Sequence, residues 1–236
     1  MKRLGIIPAR GGSKRLPRKN LLLLDEKPLV QHTIEAVINS NRFDTIILTS
    51  DDQNILDVGS RFSQLSCELR ESELSADNTK VIKVVHNICA RNAYASKYQQ
   101  VGLFLPTFPF RTAEDIRKGI DMLTTDTYSV ISISPMSDPL QLCVAIDPET
   151  NIIDPTIIYE PSPLQTGNTR SQDFTEYYRV NGGFYIAWMQ QFLKRDNFFQ
   201  GKVKGFPIDG KRSVDIDEQY QLDYANFLVQ MGHINL

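Results

Sequence analysis

The sequence predicts an α/β fold: a doubly wound, mainly parallel sheet with a small inserted lobe. Three observations predict it. Short apolar runs of strand length alternate with longer stretches of helical periodicity through the first half of the chain. The 236 residues and the 41% hydrophobic fraction suit one such domain with an extra lobe. A proline-rich break then interrupts the pattern, which resumes near residue 183.

Taken in order, residues 4–9 read as a buried strand. Residues 28–39 read as a helix with Val30, Ile34, Val37 and Ile38 on one face. Residues 45–49 form a second apolar strand, and residues 53–62 a helix presenting Ile55, Val58 and Phe62. Residues 78–92 are the clearest helix, because Val81, Val84, Val85, Ile88 and Cys89 recur at helical spacing. A strand at 101–105, a helix at 112–123 and a strand at 129–134 follow. This order gives parallel strands joined by crossover helices. Ligands of such folds bind beyond the carboxyl ends of the strands. Those ends are Pro8-Ala9-Arg10, Ser50-Asp51-Asp52 and Pro106-Thr107. Residues 138–179 hold five prolines, weak strand signals and no clear helix, which marks them as the inserted lobe. Residues 1–137 and 180–236 make up the α/β domain. In its second part strands are expected at 183–188 and 214–216, and a last helix at about 218–231.

Composition excludes several functions. Charged residues are 23% of the chain and the net charge is −2, so no global basic field recruits nucleic acid or a membrane surface. An anionic ligand must be held by a local cluster. The apolar run at the start is cut by Pro8 and Arg10, too soon for a signal peptide, and no stretch is long enough to span a bilayer. Cys67, Cys89 and Cys143 are odd in number and widely spaced, so they suit neither a zinc site nor a disulfide framework. They are expected to be reduced residues of a cytoplasmic protein. His32 and His86 lie on expected helices and His233 near the end, so no catalytic histidine suggests itself.

Three motifs carry chemistry. The run Pro8-Ala9-Arg10-Gly11-Gly12-Ser13-Lys14-Arg15-Leu16-Pro17-Arg18-Lys19-Asn20 follows a buried strand and precedes a helix. Its glycine pair frees backbone N–H groups to turn toward an anion, and five cations stand within ten residues. It reads as a triphosphate cradle, although neither the P-loop nor the dinucleotide fingerprint is present. In Ser213-Val214-Asp215-Ile216-Asp217, strand alternation turns Val214 and Ile216 inward and puts Asp215 and Asp217 on one face. Two such carboxylates beside a phosphate loop suit Mg²⁺, which takes a few carboxylates plus phosphate oxygens. Arg170-Ser171-Gln172-Asp173, with Arg179-Val180-Asn181-Gly182-Gly183 beyond it, places an arginine suited to carboxylate or phosphate in an irregular lobe.

Together these segments resemble the acylneuraminate cytidylyltransferases, also called CMP-sialic acid synthetases. The likeness runs from residue 7 to residue 20 and on through Ser50-Asp51-Asp52, Leu69-Arg70 with Glu73-Leu74, and Pro106-Thr107 with Pro109 and Arg111. It continues through Arg170-Ser171-Gln172-Asp173, Asn181-Gly182-Gly183-Phe184-Tyr185 and the late Asp-x-Asp pair, so nearly the whole chain is covered. The resemblance implies attack by the anomeric hydroxyl of a 2-keto sugar acid on the α-phosphate of CTP, with loss of pyrophosphate. It implies a cytoplasmic homodimer built through the lobe, each site completed by the partner. Carried onto this sequence, it implies that Arg10, Ser13, Lys19 and Asn20 hold the nucleotide, with Arg10 and Lys19 catalytic. Arg70, with Asp77 and Thr79 in the stretch 77–80, borders the cytosine–ribose pocket. Leu105, Thr107, Arg111, Gln172 and Asn181 are implied to bind substrate. Arg170 matches the family's catalytic arginine, and Asp215 and Asp217 hold Mg²⁺.

Departures from the family pattern cluster on the sugar side. Leu105 stands where many relatives have glutamine, Phe108 and Phe110 add apolar bulk, and Gln141 replaces a lysine. These point to a less hydroxylated nonulosonic acid of the legionaminic or pseudaminic kind. Two alternatives stay open: an enzyme acting on the eight-carbon acid Kdo, and a non-catalytic nucleotide-binding module.

Overall fold

The computed structural model describes residues 1–76 and 79–236. The chain opens with β1 (Arg3–Pro8) and a small hairpin of β2 (Leu23–Leu24) and β3 (Lys27–Pro28). There follow α1 (Leu29–Asn39), β4 (Thr45–Ser50), α2 (Gln53–Ser60), β5 (Leu65–Leu69), α3 (Val81–Ala90), α4 (Asn92–Ala95), β6 (Gln100–Leu103), α5 (Ala113–Asp121) and β7 (Ser129–Pro135). The lobe carries only the two-residue strands β8 (Ala145–Ile146) and β9 (Ile153–Asp154), a single-turn helix α6 (Pro163–Thr166) and 3₁₀ turns. Then come β10 (Tyr178–Trp188), α7 (Met189–Arg195), β11 (Val203–Pro207) and α8 (Gln219–Gln230).

Seven strands form one sheet in the order β11-β7-β10-β6-β1-β4-β5. β10 runs antiparallel to both neighbours and every other pairing is parallel. The expected mainly parallel, doubly wound sheet is therefore present. Its two faces are covered separately. Val30, Ile34 and Val37 of α1, Ile55 and Val58 of α2, and Ile116 and Ile120 of α5 pack on one face with Phe104 and Phe184. Val84, Val85 and Ile88 of α3 and Phe192 of α7 pack on the other, against Leu4, Ile6, Ile47 and Val101. A third cluster joins α8, through Leu222, Ala225 and Leu228, to Leu16, Leu24, Leu29, Phe110, Val214 and Ile216.

Several boundaries differ from the sequence reading. The long helix begins at Val81, after an extended Lys80, and the expected start at residue 78 lies outside the described residues. Strands β5 and β11 were not expected; both are sheet edges, with mixed burial that breaks clean alternation. Residues 214–216 are not a strand. Pro207 ends β11, and a 3₁₀ turn over Gly210–Arg212, opened by Asp209, swings the chain across the strand ends instead of alongside one. The alternation expected of a strand nevertheless holds there. Val214 and Ile216 are buried at 7% and 0% exposure, while Asp215 and Asp217 are half-buried. Burying each apolar side chain is worth about 2 kcal/mol, enough to hold the segment extended without a neighbouring strand.

Candidate active site

The carboxyl ends of β1, β4, β6 and β7 share one edge of the sheet, joined there by the amino end of the antiparallel β10. The loop after β1 is tied down at its root. Ala9 N donates to Thr49 O at 3.0 Å, and Gly11 N donates to Asp51 Oδ1 at 2.8 Å. A Cβ on Gly11 would stand 2.7 Å from Asp52 Cβ, so only glycine lets the loop pass this close to the end of β4. Asp52 itself is committed, capping α2 through Asn54 N at 2.9 Å. Farther on, a 3₁₀ turn over Lys19–Leu21 drives Lys19 and Asn20 inward to 9% and 5% exposure. Asn20 Nδ2 donates to Arg10 O at 2.8 Å, which closes the loop on itself.

Two clefts meet on this edge. One, of about 290 Å³, is lined by Pro8, Arg10, Lys19, Asn20, Arg70, Thr79, Val81, Val84, Leu105, Pro106 and Thr107. The other, of about 300 Å³, is lined by Arg10, Ser13, Lys14, Arg15, Lys19, Asn20 and Asp217. Arg10, Lys19 and Asn20 form their common wall. Two buried polar atoms of residues lining the first cleft have no hydrogen-bond partner: Asn20 Oδ1 and Arg70 Nε. Asn20 has its amide nitrogen committed, so its free oxygen can accept only from a ligand donor or water. Arg70 spends one Nη on Thr49 O at 2.9 Å, leaving Nε for an acceptor. Burial lowers the Arg70 pKa and nearby Arg10 adds to this, while Asp51 opposes it. A ligand edge that offers both a donor, for Asn20 Oδ1, and an acceptor, for Arg70 Nε, answers both orphaned atoms.

Asp217 lines the cation-rich cleft, and Asp215 stands nearby, hydrogen-bonded by the Thr107 side chain. Asp217 is gripped by Lys19 and by Arg15. Burial works against its charge, but the hydrogen bond and charge of Lys19, helped by Arg15, hold its carboxyl below the usual range. Asp215 moves the other way. Burial raises its pKa and the charge of Asp217 adds to this, only partly offset by the Thr107 hydroxyl, Lys19 and Arg179. A further recess of about 190 Å³ opens on Asp215 between Arg179, Ser213, Val214, Gln221 and Tyr224. Among the described residues, no cluster of three or more His, Cys, Asp or Glu side chains could hold a metal alone. A pair of mutually repelling carboxylates facing a cationic loop is the oxygen donor set that Mg²⁺ shares with phosphates, so the residues fit that ion.

The structure thus brings together Arg10, Ser13, Lys19, Asn20, Arg70, Thr79, Leu105 and Thr107, with Asp215 and Asp217 beside them. Asp77 lies outside the described residues. Two residues expected to bind substrate spend their polar groups inside the protein. Arg111 is 3% exposed and braces the strand ends: Nε donates to Gly183 O at 2.5 Å, Nη1 to Thr33 Oγ1 at 2.7 Å, and Nη2 to Leu105 O. Burial pulls its pKa down to about 9 against the pull of Asp115 and Asp215. Asn181 is 1% exposed, with both ends of its amide bonded to buried serines. Phe108 and Phe110 are buried at 0% and 2% exposure, so they add bulk beneath the loop and not to the cleft. Arg170 and Gln172 are exposed on the lobe and line neither of the two clefts that share Arg10. Gln141 is a buried strut, its Nε2 donating to Thr175 O at 3.0 Å. Sequence reasoning missed Arg15 as a partner of Asp217, and it missed Ser132, Ser134 and Ser213, which carry no signal in isolation.

A parallel sheet with a glycine-and-cation loop at its carboxyl edge and a carboxylate pair facing it defines a nucleotidyltransferase. A family model for cytidylyltransferases matches residues 4–231, and the chain belongs to that family. It is 32% identical to the CMP-N,N'-diacetyllegionaminic acid synthase of Legionella pneumophila, over 92% of this chain and 91% of that one. It is 28% identical to the pseudaminic acid cytidylyltransferase of Campylobacter jejuni, over 99% and 98%. The N-acylneuraminate cytidylyltransferase of Escherichia coli is 30% identical over 94% of this chain and 51% of that longer protein. Among solved structures, a CMP:2-keto-3-deoxy-manno-octonic acid synthetase in complex with CTP superposes with a TM-score of 0.70. It covers 98% of this chain and 100% of that one at 15% identity, a likeness of fold.

Proposed function

We propose that the protein transfers CMP from CTP to the anomeric hydroxyl of a nonulosonic acid of the sialic, legionaminic or pseudaminic type, releasing pyrophosphate. The observation that carries this is the meeting of the cationic loop and the Asp215–Asp217 pair on one sheet edge, around a cleft wall with two unpartnered buried polar atoms. Family membership and relatives named for nonulosonic acids support the same reading.

The roles follow from the geometry. Arg10, Ser13 and Lys19 line the cation-rich cleft and take the triphosphate, neutralising charge as it grows on the phosphates. Arg70 and the Asn20 carboxamide take the cytidine in the adjoining cleft, with Thr79 at its rim. Thr107 and Leu105 face the acceptor. Asp215 and Asp217 would hold Mg²⁺, whose chemistry when bound is to neutralise the phosphates and acidify the attacking hydroxyl. Lys19 and Arg15, paired with Asp217 here, would be available to phosphate oxygens once that carboxylate held the ion.

Arg170 and Gln172, which line neither cleft in their own chain, are assigned to the site of a second copy. The lobe exposes Ile146, Ile152, Ile153 and Ile157 at 56–68%. A second copy covering them would form a homodimer and bring the lobe arginine over the neighbouring site. Cytoplasmic residence fits three free thiols. No described helix is long and apolar enough to cross a membrane. The deciding experiment is pyrophosphate release from CTP against a panel of nonulosonic acids, with the eight-carbon keto acid as a comparison. Release with a nine-carbon acid is expected. Turnover of the eight-carbon acid alone, or binding of CTP with no release, would overturn the reading.

A further inference from the structure

The segment bearing Asp215 and Asp217 lies outside the sheet, yet it must hold both carboxylates in place. Its backbone attachments on the downstream side are Ile216 N to Thr107 O at 2.8 Å, and Asp217 N to Gln221 Oε1 at 2.7 Å. Upstream of Asp215 the holding is done by a buried chain of side-chain hydrogen bonds. It starts at an irregularity of the sheet. Between the pairs Val180–Ile133 and Tyr185–Ile131, four residues of β10 face one residue of β7, Ser132. Ser132 stands in for the missing ladder: its Oγ accepts from Phe184 N at 2.7 Å and donates to Asn181 Oδ1 at 2.6 Å. Asn181 Oδ1 also accepts from Gly183 N at 3.0 Å. Only glycine is tolerated at 183, because a Cβ there would meet Ser132 Oγ at 2.8 Å.

From Asn181 the chain runs outward. Asn181 Nδ2 donates to Ser134 Oγ at 2.7 Å, Ser134 Oγ donates to Ser213 Oγ, and Ser213 Oγ donates to Asp209 O at 2.9 Å. Each hydroxyl spends its single proton in the same direction, so the chain has one orientation. Its members are 0% (Ser132, Ser134), 1% (Asn181) and 7% (Ser213) exposed, and water cannot substitute for a lost partner without entering the core. Arg179 Nη2 adds a second hold on Ser213, donating to its carbonyl at 2.9 Å. Ser213 lies two residues before Asp215.

We propose that this chain is the positioning device of the Asp215 carboxylate: Asn181 and Ser134 act through Ser213 to set its place beside Thr107, touching neither substrate. The proposal rests on the functional reading above. It explains why Asn181, expected at the substrate, is buried with every polar group committed. It also gives the bulge in β10 a purpose, since a regular ladder there would leave Ser132 and Asn181 nothing to bridge.

The test uses the full chain with Ser134→Ala and the near-isosteric Ser134→Cys beside the wild type. Folding is followed by thermal melts, Mn²⁺ affinity of the CTP-saturated protein by electron paramagnetic resonance, and steady-state kinetics by pyrophosphate release. Ser134→Ala is expected to lower kcat about ten- to a hundredfold while KM for CTP stays within about twofold, because a carboxylate misplaced by a fraction of an ångström spares nucleotide binding. Mn²⁺ half-saturation is expected to rise about fivefold or more, since two ligands must converge on one ion. Ser134→Cys should recover part of both losses. A folded Ser134→Ala protein with unchanged Mn²⁺ affinity and kcat would overturn the proposal. So would a KM for CTP that rises in step with the fall in kcat, the mark of general loosening. If Ser134→Ala does not fold, Ser213→Ala is judged by the same criteria. A wild type that releases no pyrophosphate sinks the functional reading alone, because Mn²⁺ affinity still decides the network.

Discussion

At the scale of single residues, the two aspartates are shifted in opposite directions. Asp217 is kept charged by Lys19 and Arg15, while burial and its neighbour push Asp215 toward its protonated form. Asp215→Asn and Asp217→Asn are each expected to leave the protein folded and to cut kcat by roughly a thousandfold or more, measured by pyrophosphate release at saturating Mg²⁺. Near wild-type rates would refute the metal assignment. Arg70 and Asn20 offer fixed, unpartnered polar atoms to a base edge, so CTP should be preferred to UTP by about two orders of magnitude, and Arg70→Leu should erode that preference. Equal use of the two nucleotides by the wild type would contradict it. Leu105 lines the cleft, whereas Phe108 and Phe110 do not, so the acceptor argument rests on Leu105 alone. A hydroxyl placed there loses about 1–3 kcal/mol of hydrogen bonding, and a methyl gains about 0.8 kcal/mol. A 9-deoxy diamino acid should therefore show a higher kcat/KM than N-acetylneuraminic acid, and Leu105→Gln should narrow or reverse the order. Paired kinetics on both proteins, with N-acetylneuraminic acid preferred throughout, would show that Leu105 only packs beneath the site.

At the scale of elements, α5 is the clearest case of a local signal with a distant consequence. Thr112 and Asp115 form a reciprocal capping box, and Asp115 also receives both guanidinium nitrogens of Arg212, at 2.6 and 3.1 Å. Burial opposes the Asp115 charge, but Arg212 and the Thr112 backbone and hydroxyl prevail and depress its pKa. A carboxylate depressed in the folded state stabilises above its unfolded pKa and loses that contribution as pH falls through the folded value. Stability measured by urea unfolding should therefore drop below about pH 4, and Asp115→Asn should remove about 2 kcal/mol at neutral pH while flattening that acid limb. An acid limb unchanged by the substitution would separate Asp115 from it. The box joins residues three apart in sequence, whereas Arg212 reaches Asp115 from 97 residues away.

At the scale of the molecule, the core is complete without the lobe, whose own strands are two residues long and whose isoleucines stay in water. A stable dimer interface needs about 800 Å² per partner, and an arm rich in exposed apolar side chains is the region able to supply it. Light scattering at micromolar concentration should give twice the chain mass of 26.9 kDa. A fully active monomer would refute the dimer and with it a role for Arg170 across the boundary.

Much of this was readable before any coordinates, because the signals are local. Periodicity marked β1, α1, β4, α2, α5 and β7, and the glycine-and-cation loop stood out beside them, since neither property depends on distant residues. Alternation even placed Asp215 and Asp217 correctly while misnaming their segment a strand, because burying Val214 and Ile216 imposes the same in-and-out pattern with or without a sheet. Only the tertiary structure decided what each polar residue does once buried. Arg111 and Asn181 sit in motifs that look ligand-facing. Asn181 is surrounded by the serines of β7 and Arg111 by Gly183 O, Thr33 Oγ1 and Leu105 O, and a buried polar group must spend its hydrogen bonds on whatever the fold places within reach.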